Sequence, residues 1–336
     1  MKKLISLICV LAMVLALAAC GSSAPAAATE APAASTEAPA EDVSADKTFV
    51  VGICQLVQHP ALDAATQGFK DALTEALGDK VTFQEQNASG DSATCSLICN
   101  QFVSDEVDLI MANATASIQA AASATNTIPI LGTSITDYGV ALGVDNWTGV
   151  SGTNISGTSD LAPLDGQAAM IQELFPDAKT IGLLYCSGEP NSIFQADSME
   201  ALLTDMGYSV ERYTFADSND VSSVTANACS NADVLYIPTD NTAASCTETI
   251  GNIVREKKVP VVAGEKGIAS GCGVATLSIS YYDLGVKTGE MAAKILKGEA
   301  NISEMPIEYA NATKMYNETF CNELGVTIPD GYTAIQ

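Results

Sequence analysis

Polar and glycine-bearing residues follow six short apolar runs. They are Gln55, Asn113-Ala114-Thr115, Gly132-Thr133-Ser134, Ser187-Gly188-Glu189, Thr239-Asp240-Asn241 and Gly264-Glu265. Carboxylates stand out at or near these ends: Asp137, Glu189, Asp240 and Glu265. Taken out of water, such groups pair strongly with an ammonium. Basic partners are scarce, because Arg212 and Arg255 are the only arginines and neither lies at one of these ends. A cleft built from these residues suits a ligand that carries an ammonium better than it suits an anion. Helix capping is the competing reading for each end. It fits Asp240 and Thr115 well, and Gln55 and Glu265 poorly, since neither is a favoured cap.

Catalysis finds little to work with. His59 is the only histidine, which excludes schemes needing two imidazoles and most zinc hydrolases. The chain has no nucleophile elbow, no phosphate loop and no GxGxxG after its first apolar run. Cys95 and Cys99 stand four apart without a histidine nearby, so no metal and no cofactor is expected. The net charge of −25, from 15 basic against 40 acidic residues, makes nucleic acid a poor partner.

These residues are positioned by an alternating pattern. From residue 48 onward, apolar runs at 49–53, 107–111, 128–131, 180–185, 232–237 and 259–262 alternate with amphipathic stretches at 61–77, 91–103, 192–206 and 242–256. Continuous rather than alternating apolar runs predict strands buried on both faces, as in parallel sheets. The pattern restarts after Pro163, which predicts two similar α/β halves, each with its ligand crevice beyond the carboxyl ends of its strands. The length of 336 residues and the 47% hydrophobic content allow two packed domains.

Ahead of the globule, Met1-Lys2-Lys3 and the uncharged apolar run 4–19 read as a signal peptide, residues 1–19. Leu17-Ala18-Ala19-Cys20 resembles a bacterial lipobox, so Cys20 is the expected lipid attachment point. Residues 20–47 form a tether of Ala, Pro, Ser, Thr and Glu, with Thr-Glu-Ala-Pro-Ala at 29–33 and again at 36–40. Twenty-seven flexible residues (21–47) reach on the order of 30 Å. The other cysteines after Cys20 sit mostly among apolar or small residues and are expected to be free, buried thiols.

Ten short motifs in order carry a family likeness. They begin with Gly52-Ile53-Cys54-Gln55-Leu56, His59-Pro60-Ala61-Leu62-Asp63 and Gly68-Phe69, then pass through Gln86-Asn87-Ala88, Thr136-Asp137 and Asn154-Ile155-Ser156-Gly157. Glu189-Pro190-Asn191-Ser192, Pro238-Thr239-Asp240-Asn241, Tyr281-Tyr282-Asp283-Leu284-Gly285 and Ile295-Leu296-Lys297-Gly298 complete them. The chain resembles ABC-transporter substrate-binding lipoproteins of the tryptophan- and tyrosine-binding kind. Two departures lie at predicted cleft edges: Tyr138 where the family usually has proline, and Lys266 where it often has an acid.

The resemblance implies a type I periplasmic-binding architecture, two Rossmann-like lobes joined by three crossovers. These are placed near 159–163, 279–283 and 309–312, with lobe 1 at 48–160 plus 283–309 and lobe 2 at 161–282 plus 310–336. It also implies a free L-aromatic amino acid, tyrosine or tryptophan, as ligand, with a permease and its ATPase as partners; a sugar, nucleoside or other amino acid bound on the same fold, or a surface receptor or adhesin, is the alternative, and a monomer held to the membrane only by its lipid is expected. For such a zwitterion the ammonium acceptors are Asp137, Glu189, Asp240 and Glu265. The carboxylate is expected at backbone N–H groups and hydroxyls of Thr115, Ala116 and Ser117, with Asn191 and Ser192 facing them. Gln55, His59, Leu62 and Tyr281 are expected to shape the side-chain pocket, and Asp63, Thr136 and Asn241 to line it. For His59, packing at a helix start ahead of Pro60 fits as well as ligand contact, and Asp63 also suits the helix dipole. Trp147, the only tryptophan, is expected to pack rather than to stack on a ligand.

Overall fold

The structure, a computed structural model, describes residues 47–335; the expected signal peptide, Cys20 and the expected tether up to residue 46 lie outside the described residues. In chain order the first elements are β1 (Phe49–Gln55), α1 (Pro60–Leu77), β2 (Val81–Asn87), α2 (Ser92–Ser104), β3 (Leu109–Asn113), α3 (Thr115–Ala124), β4 (Ile130–Ile135), α4 (Tyr138–Leu142) and β5 (Ile155–Ser159). There follow α5 (Leu164–Leu174), β6 (Thr180–Cys186), α6 (Pro190–Asp205), β7 (Ser209–Phe215), α7 (Val221–Asn231), β8 (Val234–Ile237), α8 (Asn241–Ser245), α9 (Thr247–Lys257), β9 (Val261–Ala263), α10 (Lys266–Cys272) and β10 (Ala275–Ile279). The last are α11 (Tyr281–Leu296), β11 (Glu308–Tyr309), β12 (Ala312–Tyr316), α12 (Glu318–Leu324) and β13 (Thr333–Ala334).

One sheet runs β11-β5-β4-β3-β1-β2 and is parallel throughout. The other runs β13-β12-β10-β9-β8-β6-β7. It is parallel except where β10 meets β12, with Ile279 opposite Ala312. That exception follows from connectivity: β10 carries the chain out of the second sheet and β12 brings it back beside it. The chain changes sheet at 159–164, 279–281 and 309–312.

The strands that the apolar runs predict are present. Three of the strands without such a run have two physical causes. The strands β2 and β7 lie at sheet edges with mostly exposed or half-buried side chains, so nothing selects for apolar residues. The strand β5 is buried yet polar, because Ser156, Thr158 and Ser159 hydrogen-bond to Met305 O, Thr288 Oγ1 and Thr136 O. The predicted helix 242–256 is two helices, α8 and α9, broken at Cys246 with φ −117° and ψ 17°.

Although α11 follows the second sheet in sequence, it packs on the first. Its Met291, Ala292 and Leu296 join Phe49, Val51 and Phe69 in one apolar cluster. Close approach of α1 and α11 requires glycine at Gly68 and Gly285, where an added Cβ would strike the carbonyls of Tyr282 and Ala65. The eight cysteines within the described residues are free, and all but Cys246 are buried. Trp147 stacks on Tyr138 with ring centroids 5.9 Å apart. Among the described residues no helix is long and apolar enough to cross a membrane.

Candidate functional site

The lobe built on the second sheet supplies a wall of carboxylates that organise their own helix starts. Asp240 leaves β8 and caps α8: Ala243 N donates to Oδ1 at 2.7 Å and Cys186 N to Oδ2 at 2.7 Å. Glu265 caps α10 by curling back to accept from Gly267 N and Ile268 N. Capping therefore accounts for Glu265, against the sequence reading; a glutamate is long enough to reach its own helix start. Glu189 accepts from Asn241 N, Asn241 Nδ2, Thr242 N, Thr242 Oγ1 and Asn191 Nδ2, at 2.7–3.1 Å.

The opposite wall comes from the first sheet. His59 is the N-cap residue of α1 with Pro60 behind it, and its side chain makes no capping bond. Instead its Nε2 lies 3.2 Å from Asn241 Oδ1 across the cleft. Thr136 is reached from the other lobe by Gln195 Nε2 at 3.4 Å and donates to Asp160 Oδ1 at 3.1 Å. At the chain crossings, Tyr281 OH donates to Asp160 Oδ2 at 2.7 Å, over a sequence separation of 121 residues.

Between these walls lies a small, narrow pocket lined by both lobes. Asp160, Asp240 and Glu265, at 3%, 1% and 2% exposure, give it three buried carboxyl groups. Burial pushes Glu265 up to about 7, against the pull of its two backbone donors, with Asp160 adding repulsion. Burial also raises Asp160 and Asp240, the latter further through the neighbouring Glu189. No lysine or arginine lines the pocket. Arg212 pairs with Asp197 and Glu200, and Arg255 pairs with Glu323 while lying over the Phe320 ring.

Of the residues the sequence singled out, His59, Leu62, Thr136, Asn191, Asp240, Asn241, Glu265 and Tyr281 come together in the lining. The others stand outside it. Thr115 does not cap α3; that position is Ala114, held at φ 87°. Ser117 Oγ turns into the core, 3.6 Å from both Cys54 Sγ and Cys95 Sγ, and with Thr115 and Ala116 is absent from the lining. Gln55 braces the start of α1, donating to Asp63 Oδ1 at 2.7 Å and accepting from Thr66 Oγ1 at 2.6 Å. Asp137 caps α4 through Val140 N, Glu189 supports Asn241 from behind, and Ser192 is fully buried at the start of α6. Ser134, Asp160, Thr239 and Ala244 also line the pocket. Ser134 and Thr239 stand at strand ends already visible as polar triplets. Asp160 carries a weaker signal, a lone acid at the first crossover, and Ala244 carries none.

Two α/β lobes joined by three chain crossings around an acidic pocket define a solute-binding protein of the type I periplasmic-binding architecture. A profile of the ABC transporter substrate binding protein family matches residues 50–334, and the chain belongs to that family. It is 37% identical over 268 residues to a tyrosine-binding protein of Clostridioides difficile strain R20291, covering 79% of this chain and 77% of the relative. A Streptococcus pneumoniae ABC domain solved in complex with L-Trp superimposes with TM-score 0.81 at 31% identity, over 85% of this chain and all of that one. A ligand-free, open substrate-binding protein with adhesive properties from Clostridium difficile gives TM-score 0.66 at 38% identity, over 86% of this chain and 99% of that one.

Proposed function

We propose that this protein is the extracytoplasmic solute-binding lipoprotein of an ABC importer. It captures free L-tyrosine or L-tryptophan between its lobes and delivers it to a permease energised by an ATPase. It binds its solute without transforming it. Lipid on Cys20 holds it to the membrane, with residues 20–47 as tether, and it acts as a monomer.

The observation that carries the reading is the small interlobe pocket with three buried carboxyl groups and no basic side chain, which favours an ammonium. Asp160 and Glu265, beside Tyr281, form its hinge-side end and are the acceptors for that ammonium. Ser134 Oγ, buried and without a partner, is the donor offered to the carboxylate. Relatives named for tyrosine binding or solved with L-Trp support the aromatic assignment. The better superposition on the L-Trp complex than on the open protein, despite lower identity, supports a closed arrangement of the lobes. The His59–Asn241 and Gln195–Thr136 contacts across the cleft agree with it.

Native mass spectrometry of the purified protein is expected to find a co-purified aromatic amino acid. Calorimetry is expected to give heat with L-tyrosine or L-tryptophan. Heat from a sugar or nucleoside, with none from any aromatic amino acid, would overturn the assignment. Scattering should show a smaller radius of gyration with ligand, as hinge closure requires.

A further inference from the structure

The pocket holds one histidine whose hydrogen-bonding state its neighbours dictate. The Glu189 carboxylate is an acceptor only, so Asn241 turns its amide nitrogen toward it, at 2.7 Å. Asn241 Oδ1 therefore points away, at His59 Nε2, 3.2 Å off. An amide oxygen cannot donate, so Nε2 is the nitrogen that carries the proton. Burial moves His59 toward its neutral form, against the pull of Asn241, Glu189 and Asp63. A neutral imidazole has one N–H, which leaves Nδ1 with a bare lone pair. Nδ1 is buried and has no partner, in a side chain only 6% exposed that lines the pocket. A buried acceptor left unfilled is costly, and a ligand that fills it is favoured over one that does not.

The surroundings indicate which part of a ligand fills it. Leu62 stands three residues beyond His59 on α1, and Ala244 three beyond Asn241 on α8, so the His59–Asn241 contact brings two apolar lining residues to the same end. Asp160, Glu265 and Tyr281 mark the hinge-side end where an ammonium pairs. We infer that His59 is a specificity-determining residue whose Nδ1 accepts a hydrogen bond from a donor on the ligand's ring, a phenol O–H or an indole N–H. The inference rests on the aromatic amino-acid reading above and extends it: phenylalanine, which has the ring without the donor, is disfavoured.

Because the chain has a single histidine, 15N-histidine labelling of protein made without a histidine tag reports one imidazole. With L-tyrosine bound, the spectrum should show the Nε2–H tautomer with Nδ1 shifted as a hydrogen-bonded acceptor. With saturating L-phenylalanine, Nδ1 should keep the shift of a bare nitrogen. In calorimetry, tyrosine or tryptophan should bind roughly tenfold or more tighter than phenylalanine. His59→Leu should bring that ratio near one, and His59→Gln, which retains an acceptor, should recover part of it. An Nδ1–H tautomer, the same Nδ1 shift with both ligands, equal wild-type affinities, or discrimination retained in His59→Leu would each overturn the role of His59 alone. Absence of binding by all three amino acids would overturn the aromatic reading, and this inference with it.

Discussion

The two walls of the pocket are built on opposite principles. On the second-sheet side, Asp240 and Glu265 are each held by two backbone N–H groups, and Glu189 by five donors. These carboxylates complete their own lobe. On the first-sheet side, His59 Nδ1 and Ser134 Oγ are buried without partners, and they are the only two pocket-lining residues among the described ones with such an atom. One wall is organised before a ligand arrives, while the other is completed by it. Substitutions in the first should therefore cost stability together with binding, and substitutions in the second should cost binding alone.

The largest effect is expected at Asp240. Asp240→Ala removes the acceptor of Cys186 N and Ala243 N, leaving two amides unpaired at roughly 1–3 kcal/mol each, and should weaken ligand binding by disordering this wall. It should also lower the melting temperature of the ligand-free protein, since two amides of the second lobe lose their partner. Calorimetry and thermal melts check both; a variant that melts like wild type would break the contrast between the walls. Asp240→Asn, which keeps one acceptor oxygen, should lose less stability.

Gly285→Ala tests the scaffold behind the first wall. Its methyl would meet the Ala65 carbonyl, and overpacking of this kind costs about 1–3 kcal/mol. A shift in urea midpoint with the affinity of the folded fraction preserved is the expected outcome.

Acidity acts on the two properties in opposite directions through Glu265. Its carboxyl is raised by burial to about 7 in the folded protein, so its contribution to stability is fully present below its unfolded value and is lost as pH rises through 7. An ammonium prefers the carboxylate, so affinity should instead rise with pH through the same window. Below it affinity should fall by at most about tenfold per pH unit. Calorimetry from pH 5.5 to 8 should show this rise, with net proton release on binding, and Glu265→Gln should flatten it. Affinity independent of pH across 7 would remove Glu265 from the ammonium site.

The smallest stability effect belongs to Ser134. Its hydroxyl is unpartnered, so Ser134→Ala should leave the ligand-free melting temperature unchanged while weakening binding by about 0.5–1.5 kcal/mol. A loss of stability there would mean that the first wall is self-satisfied as well.

The repeated alternation of apolar runs and amphipathic stretches fixes the fold because it is local: a buried parallel strand reads as Thr180–Cys186 does wherever it lies. The acidic strand ends are visible for the same reason, and so is the Asp240 cap, whose acceptor sits three residues before its donor. Sequence alone thus determines the two-lobed class, the pocket's acidity and most of its strand-end residues. It does not tell which carboxylates are committed to helix starts, that Thr115–Ser117 stay out of the pocket lining, or that Asp160 becomes a pocket wall. Those outcomes depend on partners far away along the chain: Tyr281 meets Asp160 across 121 residues, and Asn241 meets His59 across 182. Only tertiary packing brings such groups within the roughly 3 Å a hydrogen bond needs. The bare Nδ1 of His59 follows from that packing, because a tautomer is set by what the other ring nitrogen touches.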